Sequence, residues 1–276
     1  MLHEAKWVWW CIIYTRSVMN TIGIIGCGHM GSALARGLVR AGYTDITVCD
    51  VNPRALGTIA SLDVTTSTDP AAASEADVVF VVVKPDVVKT VVSELDLSPS
   101  QTLVFIAAGV STEFVERYTE AAVVRLMPNL AAEWGLMAAA MTGDGIDNEL
   151  RELLSNVGIA VEVNERNMHT ATAVNGSAPA FAFYVIKALV EAGIEGGFDP
   201  DDAEVLAAQT FKGAAEIVLQ SDANLDELID AVCTPGGTTI EGMAVLREHE
   251  VEEAMMEAVD ATAERAAELS KEVANE

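Results

Sequence analysis

Between residues 21 and 163 the chain alternates short β-branched runs with stretches whose apolar positions recur at three- and four-residue spacing. That alternation predicts a parallel sheet with crossover helices. Strands are predicted at residues 21–25, 46–49, 77–83, 103–107 and 123–127, with shorter ones near 137–142 and 159–163. Continuous runs such as Val78-Val79-Phe80-Val81-Val82-Val83 suit strands covered on both faces. Helices are predicted at 32–41, 53–60, 86–95 and 112–118. Beyond Glu165 the strand signal disappears, and 168–193, 199–220, 225–232 and 239–270 read as helices. Asp199-Pro200 supplies a cap and a first-turn proline, and Gly196-Gly197 a break. The chain divides into an α/β half, residues 19–164, and an all-helical half, residues 165–276.

Residues 1–18 look foreign to this pattern. The run Trp7-Val8-Trp9-Trp10-Cys11-Ile12-Ile13-Tyr14 is too short to span a bilayer, and no small-residue cleavage site follows it. Met19 stands immediately before a strand pattern. The segment reads as a non-native or disordered leader ahead of a biological start at Met19, with a membrane-touching arm as the alternative.

Composition narrows the function. Apolar residues make up 51% but aromatics only 5%, so the core is built from Ala, Val, Ile and Leu. There are 42 acidic residues against 16 basic ones, for a net charge of −26. Such a chain repels phosphate backbones, which excludes nucleic acid as a partner. The acids are dispersed and Lys is scarce, which suits a hydrated surface in a high-salt cytoplasm, where screening removes the self-repulsion. An ordinary acidic protein is the plainer reading. Cys11, Cys27, Cys49 and Cys233 show no paired or metal-ligand spacing and read as free thiols of a reducing compartment. His3, His29, His169 and His249 are scattered, so no metal site is expected.

The strongest local signal is Gly26-Cys27-Gly28-His29-Met30-Gly31, lying after the first predicted strand and opening the first predicted helix. Gly26 permits the turn, Gly28 removes the side chain where a pyrophosphate must approach, and Gly31 lets helix and strand pack closely. The helix N-terminus offers free N–H groups and partial positive charge to phosphate. The expected fold class is therefore α/β, with an N-terminal Rossmann-type doubly wound sheet. Asp50 ends the second strand, where a carboxylate accepts from both ribose hydroxyls and favours NADH. Arg54, helped by Asn52, could instead pair with the 2′-phosphate of NADPH. The preference stays open.

The remaining motifs resemble the pyrroline-5-carboxylate reductase family, over residues 19–270. Lys84-Pro85 follows a strand as in the family's Val-Lys-Pro, and Ala107-Ala108-Gly109-Val110 matches its Ala-Ala-Gly-Val turn. Met127-Pro128-Asn129 matches the start of Met-Pro-Asn-Thr-Pro, with Leu130 and Ala131 departing from it. Gly176-Ser177-Ala178-Pro179-Ala180-Phe181 resembles Gly-Ser-Gly-Pro-Ala-Tyr, with Ala178 and Phe181 substituted, and Thr234-Pro235-Gly236-Gly237-Thr238-Thr239 resembles Ser-Pro-Gly-Gly-Thr-Thr. The resemblance implies hydride transfer from NADPH or NADH to the imine carbon of 1-pyrroline-5-carboxylate, giving L-proline. It implies cofactor contacts from Gly26 to Gly31 (Cys27, Gly28, His29 and Met30 included), Asp50, Asn52, Arg54, Val82, Val83, Lys84, Pro85, Ala107 and Ala108. It places the cyclic imine carboxylate against Asn129, Asn175, Gly176, Ser177, Gly236, Gly237, Thr238 and Thr239, with the Thr239 hydroxyl also reaching the ring nitrogen as the catalytic contact. It further implies interlocking helices that make at least a dimer, and rings of five dimers beyond that, with no membrane partner.

The chemistry stands beside the resemblance. Pro235-Gly236-Gly237-Thr238-Thr239 precedes a predicted helix. Two glycines let backbone N–H groups converge, and the threonines are placed to cap, so a small carboxylate has a seat there. Ser177 and Pro179 interrupt a helical pattern and free backbone groups, either for substrate or for close helix contact. A β-hydroxyacid dehydrogenase would share the glycine turn but needs a lysine on the long helix, where Lys187 lies beyond Pro179. A non-catalytic dinucleotide sensor would not need Pro-Gly-Gly-Thr-Thr. The charge imbalance predicts loss of helical circular dichroism in dilute buffer and its recovery in molar salt. Full folding without added salt would contradict the high-salt reading.

Overall fold

The computed structural model describes residues 21–274; the expectations for residues 1–18 lie outside them. Its strands are β1 (Ile22–Ile25), β2 (Ile46–Cys49), β3 (Thr65–Ser67), β4 (Val78–Val81), β5 (Thr102–Phe105), β6 (Ala122–Met127), β7 (Met137–Gly143) and β8 (Gly158–Glu162). They form one sheet in the order β3-β2-β1-β4-β5-β6-β7-β8. Strands β1 to β6 pair in parallel. Alternate residues feed two apolar layers. Ile22, Ile24, Val78 and Phe80 meet Leu34 and Leu38 of the helix His29–Arg40 on one face. Ile25, Val79, Val81 and Phe105 meet Val88, Val92 and Val115 on the other. Both faces are covered, which is why these strands carry no polar alternation.

Several details of the α/β half differ from the sequence reading. β7 runs antiparallel to β6, because the connection through the 3-10 turn Leu130–Trp134 and left-handed Gly135 is too short for a crossover. β3 is a three-residue strand of exposed and half-buried Thr and Ser, without an apolar signature. The first helix starts at His29, directly after Gly28. The helix Asn148–Ser155, capped by Asp147 and burying Leu150, Leu153 and Leu154, has no counterpart among the predicted elements.

In the helical half, Glu165 to Glu195 form one continuous stretch. It passes from Met168–Ala171 through a π-helical segment, Thr172–Ser177, into Ala178–Glu195. The expected interruption at Ser177 and Pro179 is therefore a widened turn rather than a stop. Pro200–Gln220 and Leu225–Val232 follow. The predicted helix at 239–270 is two helices, Thr238–Glu248 and Val251–Ala274. They are separated at Glu250, whose φ of 49° lies in the left-handed region. The reversal brings the last helix back onto Met168–Ala171 and the π segment. There the Ser270 hydroxyl donates to the Gly109 carbonyl at 2.7 Å.

Much of the helical half is uncovered in a single subunit. Phe183, Tyr184, Val205, Leu219 and Val232 are each 64–77% exposed. By length and composition Glu165–Glu195 is apolar enough to cross a membrane, yet the same exposure is what an interface between subunits requires.

Candidate active site

The glycine turn is shaped by close backbone approaches. Gly26 has φ +104°, and a β-carbon there would lie 2.2 Å from the Val82 carbonyl oxygen. A β-carbon on Gly31 would lie 1.9 Å from the Gly26 oxygen. Gly28 is exposed and has open space around its missing side chain. It is the N-cap of His29–Arg40, which has neither a side-chain cap nor an acidic residue in its first turn. A dinucleotide pyrophosphate fits this place: N–H groups and the positive helix end are unopposed, and no β-carbon blocks the approach. His29 is exposed and Met30 half-buried beside it.

The Asp50 carboxylate braces the turn from below. Its Oδ2 accepts from the Cys27 N–H at 2.7 Å and its Oδ1 from the Asn52 N–H at 2.8 Å. Asn52 in turn caps the short helix Pro53–Leu56 through the Arg54 N–H, leaving the Arg54 side chain exposed at the rim. Burial pushes the Cys27 thiol up from its ordinary value, so it stays protonated, with Sγ directed at the Ala55 carbonyl.

The other expected cofactor residues follow the C-terminal ends of neighbouring strands. Val82 and Val83 leave β4, and exposed Lys84 caps the 3-10 turn begun by Pro85. Ala107 and Ala108 leave β5 beside Gly109. Because β1, β4, β5 and β6 are adjacent, these segments line one edge of the sheet, outside the carboxyl ends of the strands, where open α/β sheets bind ligands.

Of the residues expected to hold substrate, Asn129, Asn175, Gly176 and Ser177 come together past β6. The Asn129 Nδ2 donates to the Asn175 carbonyl at 3.1 Å, and its Oδ1 accepts from the N–H groups of Ala131 and Ala138. The Asn175 Nδ2 donates to the carbonyls of Met127, at 2.6 Å, and Ala138, at 3.1 Å. Gly176 faces the Met127 sulfur. The two amides thus join the loop after β6 to the π segment.

The second expected anion seat lies elsewhere in the subunit. Gly236 has φ +72°, and a β-carbon on Gly237 would lie 2.5 Å from the Thr234 hydroxyl oxygen. Gly237 is the N-cap of Thr238–Glu248 and provides no side-chain cap. The expectation that the threonines cap this helix is corrected: Thr238 and Thr239 occupy its first turn. That leaves the helix end open to an anion. The main packing of Thr238–Glu248 is on the last helix rather than on the sheet. Lys187, the lysine a dehydrogenase would need, is exposed and paired with Glu191 at 3.5 Å.

One cluster escaped the motif reading. Arg125, on β6, is 1% exposed, and its Nη1 pairs with Glu165 Oε1 at 2.5 Å. Burial lowers the pKa of the guanidinium, and burial with the Arg125 charge lowers that of nearby His169. The signal was present: a lone arginine inside Val123-Val124-Arg125-Leu126-Met127 demands a buried partner.

Comparison with known proteins finds matches in both halves of the chain. Residues 165–269 match the family model for pyrroline-5-carboxylate reductase dimerisation, and residues 21–109 match the model described as NADP oxidoreductase, coenzyme F420-dependent. The pyrroline-5-carboxylate reductase of Methanosarcina acetivorans is 38% identical, covering 91% of this chain and 98% of its own. That of Escherichia coli is 32% identical with the same coverage. Among solved structures, a Coxiella burnetii pyrroline-5-carboxylate reductase superposes with a TM-score of 0.81 at 29% identity, covering 91% of this chain and 99% of that one. The Plasmodium falciparum pyrroline carboxylate reductase with NADP bound gives 0.80 at 25% identity, covering 91% and 98%.

The glycine geometry separates two variants. Gly28→Ala is expected to leave the melting temperature nearly unchanged and to weaken binding of the reduced dinucleotide, read by its fluorescence titration. Gly31→Ala is expected to destabilise the fold by about 1–3 kcal/mol through overpacking. Equal effects on stability from both would contradict the assignment of Gly28 to ligand approach.

Proposed function

This chain belongs to the pyrroline-5-carboxylate reductase family, and we propose on that premise how its residues divide the reduction of 1-pyrroline-5-carboxylate to L-proline by NADPH or NADH. The observation that carries the reading is a pair of uncapped helix N-termini in one chain, one at Gly28 and one at Gly237. The first suits a pyrophosphate and the second a small carboxylate.

When bound, the reduced nicotinamide supplies the hydride. The backbone from Gly26 to Gly31 receives the pyrophosphate, and Asp50, Asn52 and Arg54 face the adenosine ribose. The segments Val82–Pro85 and Ala107–Ala108 border the nicotinamide. The N–H groups of Thr238 and Thr239, released by the Gly236-Gly237 turn, hold the substrate carboxylate. The Thr239 hydroxyl meets the ring nitrogen. The imine arrives protonated, hydride adds to the ring carbon, the π electrons settle on nitrogen, and the amine keeps its proton. No acid–base relay is needed, so the chain contributes orientation, which is worth about 7–11 kcal/mol in favourable systems. Asn129 and Asn175 support the pocket by fixing Gly176 and Ser177 against Met127.

A second copy completes the site in this reading. The exposed apolar faces of Ala178–Glu195 and Pro200–Gln220 need cover, and the Thr239 turn needs a cofactor surface that its own subunit presents elsewhere. A dimer of interlocked helical halves satisfies both, with residues 19–164 as the dinucleotide domain and 165–276 as the dimerisation domain; a ring of five such dimers is the larger assembly the family resemblance implies. The reading is of a cytoplasmic enzyme, and its net charge of −26 suits a saline interior.

In molar salt, oxidation of NADPH or NADH is expected with pyrroline-5-carboxylate and not with hydroxyacid or ketoacid controls. Thr239→Val is expected to lower kcat/KM about 10- to 100-fold, as loss of a hydrogen bond to a charged group does, while cofactor affinity holds. Light scattering is expected to give a dimer or a multiple of it. Absence of imine turnover with either cofactor would overturn the activity, and a monomer would overturn the shared site.

A further inference from the structure

The junction between the sheet and the long helix carries two separate ties between the same two segments. At one end Arg125 of β6 grips Glu165, at the start of the helical half. At the other, Asn129, just past β6, and Asn175, in the π segment, exchange amide hydrogen bonds with the opposing backbone. The spans match. Four extended residues from Arg125 to Asn129 cover about 13 Å, and ten helical residues from Glu165 to Asn175 cover about 15 Å. Between the ties Met127, Ala140 and Met168 pack into a small buried cluster. The helix therefore lies over the β6–β7 pair, with its register to β6 set at both ends.

The Arg125 end is poorly built for stability alone. Arg125 Nε and Nη2, Glu165 Oε2 and His169 Nδ1 are buried without a protein partner. A desolvated pair with partners missing is commonly no better than apolar residues of the same volume. What an apolar pair lacks is direction: a guanidinium and a carboxylate meet in a narrow range of geometries, whereas methylenes slide.

We propose that Arg125 and Glu165 are positioning residues for hydride transfer, holding the helix in the register that sets Gly176 and Ser177 against the cofactor-side end of β6. This rests on the reductase reading and deepens it. Neither residue touches the reacting atoms. Each acts through the helix, and a slip of the helix along β6 would misplace the substrate pocket while leaving the glycine turn as it is.

The test compares Arg125→Lys, Glu165→Gln and the double replacement Arg125→Met/Glu165→Met with the unmodified enzyme, in assembled protein at working salt. For folded single variants, kcat is expected to fall about 10- to 100-fold, as small misplacements do. The dissociation constant for the reduced cofactor should stay within about threefold, set by a turn remote from the change. The deuterium isotope effect from 4-deuterated cofactor should rise as the hydride step becomes limiting. The double variant is expected to regain thermal stability without regaining kcat. Recovery of both together would overturn the proposal, as would an unchanged kcat in Glu165→Gln. If neither single variant folds, the double variant decides: folded but slow supports the proposal, folded and fast overturns it. Failure of the unmodified enzyme to reduce the imine would instead sink the reductase reading itself.

Discussion

At the end of β1 the chain turns with no space for a β-carbon, and the rest of the molecule is arranged around that constraint. Gly26 lies under the Val82 carbonyl and Gly31 lies over Gly26. The helix His29–Arg40 can then start immediately beyond the strand, with its positive end facing outward. The sheet supplies the rigidity for this. β1 is flanked on both sides by parallel neighbours and covered on both faces, so the turn rests on a fully enclosed strand.

The helical half obeys a different constraint. Its surfaces are apolar but not enclosed: Tyr184 is 77% and Val205 67% exposed. Its last helix reaches the end of the sheet at Ser270, which bonds the Gly109 carbonyl, and packs along the π segment. An apolar surface of this kind, in the half that matches the family's dimerisation model, is what association with a second copy would cover.

The sequence disclosed most of this where a residue type had a single physical use. Continuous apolar runs located the central strands, and a glycine turn between strand and helix had one plausible ligand. The polar edge strand at Thr65 lacked such a mark, because three exposed or half-buried residues bury too little to leave a pattern. The antiparallel turn into β7 depended on loop length rather than on periodicity. At Glu250 a left-handed residue without a glycine ended one helix and began another, which no composition rule announces. The site was legible as a list of motifs but not as a set of distances. That Asn129 and Asn175 hold each other's segments, and that Thr238 and Thr239 fill rather than cap a helix turn, emerged only from geometry. Arg125 was visible as an anomaly in an apolar strand, without an indication of its partner.

The bracing of the glycine turn by Asp50 has an evolutionary corollary. The carboxylate proposed above to read the adenosine ribose is the same one that holds the Cys27 N–H. A lineage drifting from one coenzyme to the other could not discard this acid freely, since the loop it supports would loosen. Arg54, exposed and without a side-chain hydrogen bond among the described residues, can be exchanged at little structural cost. Coenzyme choice in this scaffold should therefore wander through the rim residue first, with the acid beneath it as the conservative partner.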